Sequence, residues 1–379
     1  MTIEIEVLAA PGTYEALRDP WNELVHEDPQ NLLGFDATST YEWFEATLAA
    51  FPEAADSRVI VAREGNEIVG LLPVLIDKSK RFGPRLRTPT ELYGGRTGPL
   101  LRGSAPELLP ALLTGLDQAC PGWTTLQLTL VAGSESARTL IETCRQRGYG
   151  AVCGDPRESP FFSILATPDE FLRGIAKDVR RHLKAGENGF KKLGALQYRA
   201  YTHEHEAPAL LDAVLAIERK TWKHEAGTAI TRNPSQERFY RELFPRAMRS
   251  GLLHAEVLLL EQQPIAYNFG LHRGGVYSCL KHSHVQSLDK LTPSHLVNLA
   301  LINNLRNRNT VTYDFMGRTE RHKLRWSNAN GVYARHTWRI FNRTARGRLA
   351  SCFNQLKQRI QRWRTAMAKP AAVDDDVRA

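Results

Sequence analysis

The chain has 379 residues, an apolar fraction of 42% and a formal net charge of +9. That length exceeds one ordinary domain and supplies ample residues for a buried core. The opening MTIEIEV has no basic n-region, no apolar run approaches the roughly 18 residues that span a bilayer, and five widely spaced cysteines include no CxxC pair. A secretory signal, a membrane span, a disulfide framework and a structural zinc site are therefore not expected, and a reducing cytoplasmic location is.

Charge divides the chain. Residues 1–165 hold 14 Lys and Arg against 22 Asp and Glu, a net −8. The remainder holds 36 against 19, a net +17, with eleven of the twelve histidines. The basic half suits an anionic partner: a phosphorylated donor, a lipid surface or a nucleic acid.

The acidic half alternates helices and strands. Ile3 to Leu8 alternates as a strand does, and Tyr14–Leu24 puts Leu17, Trp21 and Leu24 on one helical face. Thr40 is placed to cap a helix over Tyr41–Phe51. Arg58–Arg63 and Glu67–Ile76 form a hairpin around Glu64-Gly65-Asn66, and Lys80–Gly98 reads as a loop. Helices over Glu107–Cys120 and Glu135–Arg147 flank a strand over Thr124–Leu130.

In the basic half, a strand over Phe161–Leu165 leads to helices over Asp169–Ile175, Asp178–Lys192, Pro208–Trp222 and Glu237–Ser250. Leu252–Leu260 and Pro264–Arg273 form a second hairpin. A strand from Val276, a loop into a helix, the strand TVTYDFMG and a short basic helix ending at Trp326 follow, and Val332–Phe341 is expected to close the sheet. A helix N-terminus after a strand can bind an anion, and the next strand can carry polar groups into the same cleft, as group transfer requires. From Arg343 to Lys369 there are eight Lys and Arg and no acid, and Leu349, Phe353, Leu356, Ile360, Trp363 and Met367 form one apolar stripe. Such a helix serves a membrane surface, or docks on the protein's own core or a partner. The closing PAAVDDDVRA reads as disordered.

Several pieces of the basic half stand in an order that resembles the acyltransferase family called CelD-like, a branch of the GNAT superfamily related to the Fem peptidyltransferases. They are Asp178-Val179-Arg180-Arg181-His182-Leu183, then Ile217-Glu218-Arg219-Lys220-Thr221-Trp222, then Gln263-Pro264-Ile265-Ala266. Tyr313-Asp314-Phe315-Met316-Gly317 follows, with Glu320, Lys323 and Trp326 after it. The resemblance covers roughly residues 160–330 and is looser in the first half, through Trp21, Trp43 and the run from Ile68 to Pro73.

The resemblance implies an α/β fold with mixed sheets: a GNAT-like domain over 1–160 that supports the acceptor site, a catalytic GNAT-like domain over 161–343, and a basic amphipathic helix and tail over 344–379. It implies transfer of an acyl group, other than an aminoacyl group, from a thioester to an amine. The donor is expected to be acyl-CoA or an acyl carrier protein. Where simple GNAT enzymes carry a glycine-rich loop for the donor pyrophosphate, this chain has Leu288-Asp289-Lys290-Leu291-Thr292-Pro293-Ser294-His295, with Thr292 placed to cap the helix and Pro293 in its first turn.

Acyl transfer of this kind needs a base for the amine, donors for the oxyanion, an exit for the thiolate and alignment of the partners. His282 is the candidate base, with His284 on the same strand face. Asp314 orients a histidine, holds the ammonium, or pairs with Arg318 or Lys323 for structure. Tyr313 is a candidate proton donor to the thiolate or a core aromatic, and Glu218 a second candidate base. Thr292, Ser294, His295, Lys323, Arg180 and Arg181 are candidates for holding the donor; for Arg180 and Arg181 a solvated charge run is an equal reading. The His203-Glu204-His205-Glu206 cluster reads as surface, and no metal is assigned.

The expected acceptor is the amine of a sphingoid-type lipid, giving a ceramide-like amide, or of an amino sugar in envelope polysaccharide synthesis. Residues 344–369 are expected to hold the protein at the inner face of the cytoplasmic membrane. Two other readings stand beside this: Fem-like transfer from aminoacyl-tRNA, and a non-catalytic adaptor of an envelope-polymer machine.

Overall fold

A computed structural model describes residues 2–9, 11–27, 33–51, 56–78, 82–89, 95–103, 107–164, 167–328 and 330–367. The first half comprises β1 (Ile3–Leu8), α1 (Arg18–Glu27), α2 (Tyr41–Ala50), β2 (Ser57–Glu64), β3 (Glu67–Asp77), β4 (Arg85–Arg87), β5 (Leu100–Leu101), α3 (Leu108–Ala119), β6 (Thr125–Val131), α4 (Glu135–Gln146) and β7 (Gly150–Ser163). The second comprises α5 (Pro168–Gly174), α6 (Lys177–Phe190), β8 (Leu196–Tyr201), α7 (Ala207–Glu218), α8 (Trp222–Glu225), α9 (Pro234–Arg249), β9 (Leu253–Leu260), β10 (Gln263–Arg273), β11 (Val276–His284), α10 (Pro293–Arg306), β12 (Thr312–Asp314), α11 (Arg321–Leu324), β13 (Asn330–Phe341) and α12 (Ala345–Met367).

All the strands join one mixed sheet, in the order β1-β2-β3-β4-β6-β13-β7-β12-β11-β10-β9-β8, with β5 beside β3. β13 does not close this sheet as the sequence suggested. It lies inside it, paired with β6 through Thr125–Val131 and with β7 through Gly150–Phe162. A strand of the second half is thus hydrogen-bonded to a strand of the first. The boundary read at residue 160 falls within β7, whose Phe161–Ser163 end also pairs with β12.

β7 is longer than the strand read at Phe161. Its first part, with Pro156 and the exposed Asp155–Glu158 segment, lacks the apolar alternation that marks a strand. Two other elements also differ. The helix read from Tyr14 starts at Arg18, after two 3-10 turns, with Pro20 tolerated in its first turn. The helix read as Pro208–Trp222 stops at Glu218, and Trp222, 56% exposed, begins a separate short helix. Thr40 caps α2 as read, accepting from the Trp43 amide at 3.3 Å.

One apolar core runs through both halves. It takes in α1, α2, α7, α9 and α10 and one face of the sheet, with Trp43 of α2 against Phe239 of α9 at a ring separation of 4.8 Å. A second core lies on the opposite face of the first half, under α3 and α4. All five cysteines are free thiols. No helix among the described residues is long and apolar enough to cross a membrane.

Candidate functional site

Within the second half, β11 and β12 run parallel but pair only over Val276–Ser278 and Thr312–Asp314. Past Ser278, β11 continues to His284 with β10 as its partner, and the chain after Asp314 turns away. A wedge opens between the two strands. At its apex β11 carries a bulge: Gly270 faces Cys279 and Phe269 faces Lys281, so Leu280 is the extra residue. A bulge disrupts the ladder locally and re-aims the side chains beyond it. Cys279 accordingly meets Asn268, whereas Lys281 meets Glu218 on α7.

Glu218 is fully buried, at the last residue of α7. Its Oε2 accepts from the Ile230 amide at 2.8 Å and lies 3.3 Å from Nζ of Lys281, and Tyr267 donates to its Oε1 at 2.5 Å. A buried carboxylate needs such partners, and these hold it still. Lys223, on the short helix after α7, donates from Nζ to the His282 carbonyl at 3.2 Å. Burial pulls both lysines below the ordinary ammonium range, with Glu218 pulling the other way. Sequence reasoning missed Lys223 and Lys281. A lone lysine within a strand, and one beside an exposed tryptophan, carry no signal without the bulge and the helix break that bring them together.

His282 lies opposite Asn268 on β10. Burial, with Lys223, His322, Lys323 and His284 around it, pushes its pKa down to about 3. It is a neutral imidazole in positively charged surroundings. His284 on the same strand is held between Ser294 Oγ and Asp289, each at 2.5 Å.

Tyr313 and Asp314 sit deeper. The Tyr313 hydroxyl accepts from Asn268 at 2.8 Å, and its ring stacks on Phe162 at 5.0 Å. Asn268 also donates to Asn298 at 2.6 Å and accepts from Tyr277 at 3.0 Å, so these side chains satisfy one another. Asp314 pairs with neither Arg318 nor Lys323. Its carboxylate accepts from the Met316 amide and from the Tyr333 hydroxyl, both at 2.7 Å. Burial raises its pKa. Met316 has a φ of +52°, and its carbonyl accepts from Arg335 at 2.6 Å and from Ser159 at 3.0 Å. Asp314 therefore ties the turn after β12 to β13.

The N-terminus of α10 is engaged by the chain itself. Thr292 does not cap the helix: it has a φ of +50° and donates from its hydroxyl to the His182 carbonyl at 3.3 Å. His295 stacks on His182 at 6.0 Å and meets Trp326 edge-on at 5.4 Å. Its Nδ1 is buried without a hydrogen-bond partner, and burial pushes its pKa down to about 4. α6 lies close against this loop, where a Cβ on Gly186 would come within 2.5 Å of the Leu291 carbonyl. The residues present do not form an open glycine cradle for a pyrophosphate.

The other candidates spread out. Arg180 donates to the carbonyls of Leu172 and Arg173, at 3.0 and 2.7 Å, which anchors the end of α5. Arg181 is exposed on α6. Lys323 is buried near the wedge, donating to the Arg318 carbonyl at 2.7 Å and lying 3.3 Å from Glu320. In the His203–Glu206 cluster, Glu206 accepts from the His203 and Thr202 amides, both at 3.2 Å, and Glu204 pairs with Arg249.

Residues 177–324 match the family described as the acetyltransferase (GNAT) domain. No curated protein matches the chain. Among solved structures, FemX is similar with a TM-score of 0.60 at 11% identity, over 88% of this chain and 96% of that one. A conserved protein of unknown function from Bacteroides thetaiotaomicron VPI-5482 reaches 0.58 at 10% identity, over 90% and 100%. The C-terminal domain of a protein described as a lysylphosphatidylglycerol synthetase from Agrobacterium fabrum reaches 0.50 at 11%, over 88% and 93%. At such identities the likeness is one of fold. The α/β class with a large mixed sheet and GNAT-like units stands, and the matches support the GNAT superfamily without singling out its CelD-like branch.

Proposed function

We propose that the chain is an N-acyltransferase that moves an acyl group from a thioester, on coenzyme A or an acyl carrier protein, to the amine of a lipid or amino sugar. The carrying observation is the wedge beyond Ser278, where a strand bulge, a neutral histidine and two half-buried lysines converge. In this reading the donor's thioester lies along the free edge of β11. Backbone amides at the Leu280 bulge face the carbonyl oxygen as it gains charge, as oxyanion stabilisation requires. As the C–N bond forms and the amine nitrogen becomes acidic, His282 takes its proton and passes it to the thiolate as the C–S bond breaks, while its positive neighbours favour the developing oxyanion and the leaving sulfur. The amine attacks directly, with no covalent intermediate on the protein. Glu218 positions Lys281 and Tyr267 rather than touching substrate.

The closed N-terminus of α10 favours recognition of the thioester end of the donor over its nucleotide end, which suits an acyl carrier protein. Aminoacyl transfer is the second reading. The fold likeness to FemX and to the lysylphosphatidylglycerol synthetase domain favours it, and fold alone does not name the donor.

The test is a screen of acyl-CoA, acyl carrier protein and aminoacyl-tRNA donors against amine lipids and amino sugars, read by product mass. Amide formation from a thioester, lost in His282→Ala, supports the first reading. Transfer from aminoacyl-tRNA alone, weakening steeply with salt, replaces it with the second. Full activity in His282→Ala overturns the site assignment.

A further inference from the structure

The C-terminal helix α12 is built the wrong way round for a helix that docks on its own core. At about 100° per residue, Gly347, Ala350, Ser351, Asn354 and Gln358 share one side, and they are its buried or half-buried positions. That side packs against β7 and β13. It offers small and polar groups. The opposite side carries Leu349, Phe353, Leu356, Ile360 and Trp363, which are between 43% and 61% exposed. Only Phe353 touches another ring among the described contacts, Phe82 at 5.8 Å. Exposed apolar stripes of this kind mark an interaction surface.

Charge identifies the partner. Arg348 and Arg359 lie along one flank of the stripe, Arg346 and Lys357 along the other, and all four are exposed. The sequence from Arg343 to Lys369 has no acid at all. An apolar face bordered on both sides by long cationic chains fits the boundary between acyl chains and anionic headgroups, with the cations reaching up to the phosphates. The helix is not apolar enough to cross a membrane.

We propose that α12 is a membrane-surface anchor that lies in the plane of an anionic lipid bilayer, with the stripe from Leu349 to Trp363 buried among the acyl chains. The assignment does not depend on the acyl-transfer reading.

Co-sedimentation of the full chain with vesicles tests it, using phosphatidylcholine alone and phosphatidylcholine with roughly one-third phosphatidylglycerol. Binding should be at least about tenfold stronger to the anionic vesicles and weaken with salt. The triple variant Leu349→Ser, Leu356→Ser, Trp363→Ser should lose binding to both, with an unchanged thermal melt because the three positions are exposed. Replacing Arg346, Arg348, Lys357 and Arg359 with Gln should remove the preference for anionic lipid. Equal binding to both vesicles by the unmodified chain overturns the proposal, as does no binding. A dimer that the triple variant dissolves, without vesicle binding, assigns the stripe to a second copy of the chain instead.

Discussion

Nζ of Lys281 stands 3.3 Å from Oε2 of Glu218, the carboxylate fully buried and the ammonium nearly so. The pair joins a strand just past its bulge to the last residue of a helix, so it fixes the strand edge on which the proposed chemistry depends. Glu218 also accepts from Tyr267 and from the Ile230 amide.

Removing Glu218 should therefore cost more than removing Lys281. Glu218→Ala leaves a buried ammonium, a phenol and an amide without their acceptor, at about 3–5 kcal/mol. Lys281→Met leaves the carboxylate two of its bonds and should cost less. Urea unfolding of both variants measures the difference. A Glu218→Ala loss below about 1 kcal/mol would mean that water replaces the partners and the pair is not the anchor described.

His282 should serve without an acid limb of its own near neutrality. Its pKa is pushed down to about 3, so it stays neutral across the physiological range and loses its base function only in strong acid. His282→Gln should lower kcat/KM by about 100- to 10,000-fold. A pH profile of kcat/KM with a limb between pH 6 and 7 that vanishes in His282→Gln would keep His282 as the base but contradict its depressed pKa; full kcat/KM in His282→Gln would remove it from the reaction.

Asp314 should act on stability. Asp314→Ala strands the Met316 amide and the Tyr333 hydroxyl in the interior, at about 1–3 kcal/mol for each group left unsatisfied. Tyr333→Phe removes one of the two bonds and should cost about 1 kcal/mol. Calorimetry of the two variants gives the order. A stable Asp314→Ala protein without transferase activity would instead place the carboxylate on the substrate.

Stability should fall as the solution is acidified below pH 6.5. His254 on β9 is buried, and burial with Arg308 and His272 nearby pushes its pKa from 6.5 to about 3. Between those values the unfolded chain binds the proton and the folded one does not. Stability therefore rises with pH across that window, by up to about 1.4 kcal/mol per pH unit. His282 and His295 shift in the same direction. Glu256 opposes them: burial raises its pKa from 4.5 to about 7, so its contribution falls as pH rises between those values. Burial raises the Asp314 carboxyl in the same sense as Glu256, but His272 and His322 join the other three histidines, and five histidines outweigh two carboxylates. Tm should drop between pH 6.5 and 4.5, and His254→Phe should flatten that slope. A Tm independent of pH over this range would contradict the buried-neutral state.

Much of the local structure was legible in the residues. The Thr40 cap, the two hairpins and the helix over 293–306 follow from capping chemistry, alternation and proline placement, all of which act over a few residues. His282 is proposed as the base because it shares one strand face with His284, and its place on β11 opposite Asn268 follows from the strand pairing. Thr292 misled because a threonine before a proline reads as a cap, whereas its φ of +50° and its bond to His182 depend on a helix more than a hundred residues earlier.

The sequence by itself determined the charge division, most of the elements, the apolar stripe of α12 and the stretch in which the site is proposed. Tertiary structure alone decided that β13 enters the first half's sheet, that Leu280 forms a bulge, and that Lys281 meets Glu218. It also decided that the stripe of α12 faces outward. Periodicity records which side of an element is apolar. What that side meets is set by pairings between residues far apart in the chain, and no local pattern records those.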